Sequence, residues 1–102
     1  MRRLLVAASV AALFSFAGTA LAQDKSAEEL QKDAKDALGR GDVPQACLLF
    51  EQAYQASTKA APDEPGPKPM DLLFDLADCH ERQGYGTLAA SEFEKVAQAG
   101  GA

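Results

Sequence analysis

Two stretches of this chain carry one helical design, 43 residues apart, and no other feature constrains the fold as strongly. Gly41, Ala46, Phe50 and Ala53 line up with Gly84, Ala89, Phe93 and Val96. In the downstream stretch, Met70 to Ala99, a strongly apolar helix runs to Gln83 and Gly84-Tyr85-Gly86 makes a turn. A second helix follows, with Leu88, Ala89, Phe93, Val96 and Ala97 on one face. A hairpin of this kind cannot bury its apolar faces alone. Its counterpart, Ala27 to Ala60, is built the same way, so the chain reads as two copies of one packing unit.

The local signals agree with that design. Ser26 is an N-cap, and Glu29 three residues on completes a capping box. Ala27, Leu30, Ala34, Ala37 and Leu38 then fall on one helical face. Glu28, Gln31, Lys32, Asp33, Lys35 and Asp36 occupy the other, with Glu28 and Lys32 spaced for an i,i+4 ion pair. Gly39-Arg40-Gly41 ends this helix. Asp42 caps the next, with Gln45 completing a second capping-box pattern and Pro44 in the first turn. Val43, Ala46, Cys47, Phe50, Ala53 and Tyr54 form its apolar face, which Leu48 and Leu49 widen, so cover is expected on more than one side. Ala61 to Pro69 holds four of the five prolines and reads as a stiff, extended, solvated connector. From Met70 onward there are two apolar stripes. Met70, Leu73, Phe74, Ala77 and His80 make one, and Leu72, Leu76 and Cys79 the other. Two stripes require two packed neighbours, which puts this helix at the centre of the layer. Gly100-Gly101 stops the last helix, and no alternating strand pattern occurs downstream of the N-terminal segment.

The N-terminal segment belongs to a different class. Met1-Arg2-Arg3, the uncharged apolar run Leu4 to Phe16, and Thr19-Ala20-Leu21-Ala22 form a Sec-type signal peptide, residues 1–22, with cleavage expected between Ala22 and Gln23. Retention as an N-terminal anchor is the alternative. After cleavage no stable membrane anchor is expected, and the location is periplasmic or secreted. Loss of Arg2 and Arg3 leaves eight basic against fifteen acidic residues, a net charge of −7. That excludes a non-specific nucleic-acid binder, which needs a basic face. The mature domain, residues 23–102, is small for a single core. Cys47 and Cys79 are its only cysteines, and an even count in an exported chain favours a disulfide. Two separate buried thiols are the alternative.

Without the nine-residue connector, the 43-residue offset becomes a period of 34. With that period, the small residues Ala34 and Ala46 (and Ala77 and Ala89) where helices approach, and Phe50 and Phe93 filling the gap between them, the chain resembles the tetratricopeptide repeat family. Repeat one is residues 27–60, the Pro-rich connector 61–69, and repeat two 70–102. Ala46-Cys47-Leu48-Leu49-Phe50-Glu51 and Leu76-Ala77-Asp78-Cys79-His80-Glu81-Arg82 are also similar to segments of small exported tetratricopeptide proteins of delta-proteobacteria, the myxobacteria especially. Asp33 departs from the family pattern, which wants Leu there, and suits a first repeat whose face is open to water. The resemblance implies an all-α fold of four helices in two antiparallel hairpins. It also makes the helices carrying Cys47 and Cys79 neighbours.

No cofactor or nucleophile signature is present: there is no G-x-S-x-G, P-loop or H-E-x-x-H. The chain is therefore expected not to be an enzyme. Cys79 and His80 are adjacent on a helix and point about 100° apart, which disfavours joint metal ligation. The resemblance implies a peptide groove lined by the first helix of each repeat. Here it would hold Glu28, Gln31 and Lys35 from repeat one and Asp71, Phe74, Asp78 and Glu81 from repeat two. That is an acidic groove with Phe74 as its floor, suited to a basic or neutral peptide or helix. The expected role is a protein–protein interaction adaptor or assembly module of the bacterial cell envelope. A structural, self-oligomerising module is one alternative, and a small redox or metal-binding protein using Cys47 and Cys79 another.

Overall fold

The computed structural model describes residues 25–100, which form four α-helices: α1 (Ala27–Gly39), α2 (Val43–Lys59), α3 (Pro69–Arg82) and α4 (Gly86–Gln98). No strand occurs among the described residues, so the fold is all-α. The expected signal segment, residues 1–22, and its cut after Ala22 lie outside them.

Side-chain caps mark where the first two helices begin. Ser26 Oγ accepts from Glu29 N at 3.1 Å, and Ser26 N donates to Glu29 Oε1 at 3.1 Å, which is the complete capping box. At α2, Asp42 Oδ1 accepts from Gln45 N at 3.3 Å. Pro69 occupies the first turn of α3, one residue before the expected start, because a proline there sacrifices no helical bond.

The two hairpin turns repeat atom for atom in their hydrogen bonding. Gly41 N donates to Leu38 O and Asp42 N to Ala37 O, both at 2.9 Å. Gly84 N donates to Glu81 O at 3.0 Å and Tyr85 N to His80 O at 2.9 Å. Each is a Schellman closure, which needs a left-handed residue, and Gly41 (φ 82°) and Gly84 (φ 90°) supply it. The 43-residue offset therefore holds in the backbone as well as in residue size.

α1 packs on α2, α2 on α3 and α3 on α4, so α2 and α3 each have two helical neighbours. The core comprises Leu30, Ala34 and Ala37 of α1, Ala46, Cys47, Phe50 and Ala53 of α2, Leu72, Leu73, Leu76 and Cys79 of α3, and Val96 of α4. The alanines let the helices approach closely, and Phe50, 2% exposed, fills the space between them. Cys47 and Cys79 form a disulfide, with Cα atoms 5.5 Å apart, that bolts α2 to α3 across the two hairpins. Two ties join α3 to α4. His80 Nδ1 and Glu92 Oε1 are 2.7 Å apart with both side chains largely buried, and the Phe74 and Phe93 rings meet edge to face at 5.3 Å.

Three expectations are corrected. Leu48 does not widen the buried face of α2; it remains 49% exposed, because α3 covers the flank that carries Cys47. Lys32 does not pair with Glu28 but stands 3.7 Å from Asp36. Both arrangements lie on an exposed face, where neither has much energetic advantage. The connector is not extended throughout. Glu64 N donates to Ala61 O and Glu64 Oε1 accepts from Ala61 N, closing a tight turn that proline rings alone do not predict.

Candidate functional site between the first helices

The groove expected from the sequence would lie between α1 and α3. Asp75 of α3 is the carboxylate there on which groups of both helices act. One turn of α3 separates it from Asp71, and three residues from Asp78, so all three share a face. Asp75 is half-buried. Burial raises its pKa above the ordinary carboxylate value, and the negative charges of Asp71 and Asp78 push the same way. The Lys35 ammonium and the Gln31 amide, both from α1, pull against that shift. Four of the seven groove candidates, Gln31, Lys35, Asp71 and Asp78, thus act on the ionisation of one carboxylate that was not among them.

The other three stand apart. Glu28 is exposed near the start of α1 and borders a different concavity. Phe74 is 44% exposed and lies against Phe93 of α4, so it edges the groove on the side away from α1. Glu81 is exposed in the last turn of α3. Asp78 is held by Arg82 at 3.1 Å with both side chains about half exposed, so water screens the pair strongly. Only a helix-crossing geometry could have singled out Asp75, because spacing along α3 treats all its carboxylates alike.

A cleft of about 680 Å³ lies between the start of α1, the end of α2 and the connector. Its walls include Lys25, Glu28, Lys59, Pro62, Pro65 and Lys68. Lys25 is engaged by Asp33 at 2.7 Å, and this contact raises the lysine pKa and lowers that of the aspartate.

The cysteines and histidine occupy structural positions. The disulfide removes both thiols as metal ligands or nucleophiles, and His80 faces Glu92 rather than a cysteine. Among the described residues, no three His, Cys, Asp or Glu side chains are placed to hold a metal ion. No helix among them is long and apolar enough to cross a membrane. No protein-family model, curated protein or solved structure matches the chain.

Proposed function

We propose that this chain is a non-enzymatic adaptor of the bacterial cell envelope, a tetratricopeptide-type module that binds a basic or neutral peptide or helix between α1 and α3. One observation carries the reading. Asp75 is a partly desolvated carboxylate flanked by two more, with Lys35 the cation that α1 brings to it. Such a site gains when a ligand supplies a further positive charge or donor. The matched turns at Gly41 and Gly84 support the repeat assignment. The Cys47–Cys79 disulfide and the leader-like residues 1–22 support export.

Calorimetric titration of the oxidised chain with cationic, neutral and anionic peptides of equal length tests this. Cationic peptides should bind best, weaken as salt rises, and lose affinity on Asp75→Asn. Preference for the anionic peptides would sink the proposal.

A further inference from the structure

The repeat also supplies a template for a surface that none of the described helices covers. α3 covers one flank of α2, where Cys79 bonds Cys47 and its Sγ lies 3.8 Å from Val43 O. Val43 and Tyr54 share the stripe of Cys47, at four residues before and seven after. Advancing these three by 43 gives Gly86, Ala90 and Ala97 of α4, all exposed. On the other side of α3, the Gln31 amide and Lys35 ammonium of α1 act on Asp75. Advancing those by 43 gives Phe74 and Asp78. The groove between α3 and α4 is thus the counterpart of the groove that α3 itself fills. Its floor is the Phe74–Phe93 pair, with Phe74 44% exposed.

We propose that this end groove receives an amphipathic helix in trans, with large apolar side chains at i, i+4 and i+7 and lysine or arginine at i+3. The spacing is that of Leu72, Leu76 and Cys79, which α3 buries, with Asp75 at i+3. The apolar residues must be large because the receiving side chains have shrunk from Val, Cys and Tyr to Gly, Ala and Ala, and close packing leaves the missing volume to the ligand. The charge must reverse because Asp78 stands where Lys35 stands in the filled groove. Exposed Glu94, one turn after Ala90, adds a second carboxylate, and Phe74 in place of Gln31 offers an aromatic face to a cation. Arg82 engages Asp78 from a half-exposed position, which leaves the site acidic toward a better-placed partner.

A second copy meets only the charge term, with Lys32 of α1 at i+3, and fails the apolar ones. The three apolar positions in α1 are Glu29, Asp33 and Asp36, so head-to-tail stacking would press three carboxylates onto an apolar groove. The corresponding stripe of α3 is already buried against α2. This site is distinct from the groove between α1 and α3, although Phe74 and Asp78 border both.

The test titrates the full oxidised chain with a side-chain-crosslinked helix carrying Leu at i, i+4 and i+7 and Lys at i+3, and with its twin carrying Asp at i+3, read by fluorescence anisotropy. The Lys helix should bind saturably at one per chain and about fivefold more tightly than its twin. Ala90→Lys, at an exposed position, should keep the helical circular dichroism and melting of the parent while abolishing binding of both helices. Lys35→Ala in the other groove should leave binding within about twofold. Equal affinity of the twins, no saturable binding, or indifference to Ala90→Lys would overturn the proposal. So would loss of binding on Lys35→Ala, which would move the ligand to the groove between α1 and α3. A dimer in light scattering that Ala90→Lys dissociates would overturn it too, by making a second copy the occupant.

Discussion

Reducing the Cys47–Cys79 bond should remove a large part of the stability of this domain. The bond closes a loop with a sequence separation of 32. The chain-entropy relation assigns such a loop about 3.7 kcal/mol at 25 °C. Domains of this size are stable by only about 5–15 kcal/mol. One kilocalorie shifts the melting point of a domain this small by roughly 4–8 °C, so reduction should lower Tm by roughly 15–30 °C. The two sulfurs sit on residues 4% and 0% exposed, so the thiolate of a reductant reaches them only after the hairpins part. Reduction of the folded protein should therefore be slow and should accelerate steeply with mild denaturant. The assay is far-ultraviolet circular dichroism melting of oxidised and reduced chain, with thiol titration over time. The double variant Cys47→Ala/Cys79→Ala supplies a reference whose Tm must not respond to reductant. If oxidised and reduced chains melt within about 2 °C of each other, the bond does not hold the hairpins together and the reasoning fails.

Three further outcomes follow from individual residues. Phe50→Ala opens a cavity in the core and should cost about 3–5 kcal/mol, measurable as a shifted urea midpoint in the oxidised protein. Gly41→Ala and Gly84→Ala should each cost about 1 kcal/mol and by matching amounts, because both have positive φ and open space around the missing Cβ, which leaves only backbone strain; clearly unequal losses in denaturant melts would break the equivalence of the turns. Asp75→Asn should stabilise the protein at pH 7 by under about 1 kcal/mol, since solvent screens this half-buried site. The sign follows from the raised folded-state pKa: ionised Asp75 opposes folding at neutral pH, and that penalty disappears as pH falls through the folded pKa toward the unfolded value near 4. The advantage of the variant should therefore shrink across that acidic window in parallel melts, and an advantage that grows there would contradict the assignment.

Much of this architecture was legible because its signals are local. Ser26 with Glu29 and Asp42 with Gln45 announce helix starts by bonds made within three residues. Gly41 and Gly84 announce turns by a backbone conformation that other residues resist. The disulfide was open to inference because an expected export signal, an even cysteine count and adjacent helices converge on it. What escaped depends on crossing geometry. Asp75 looks like Asp71 and Asp78 on a helical wheel, and only the arrival of Gln31 and Lys35 sets it apart. Leu48 belongs to an apolar run, yet its burial depends on which flank α3 covers. The choice of Lys32 between Glu28 and Asp36 is a contest between two weak surface pairs, which spacing cannot decide.

The position of the disulfide has a topological consequence for the connector. Cys47 and Cys79 bracket the whole of Ala61–Lys68, and the residues they join lie in the packed layer rather than in the loop. The peptide link between the hairpins is thus backed by a second covalent link. A protease cut at the exposed Asp63–Glu64 bond should leave one molecule that migrates as intact without reductant and as two fragments with it. The same redundancy makes this loop a natural place for insertion or circular permutation, since the bond that keeps the halves in register does not pass through it.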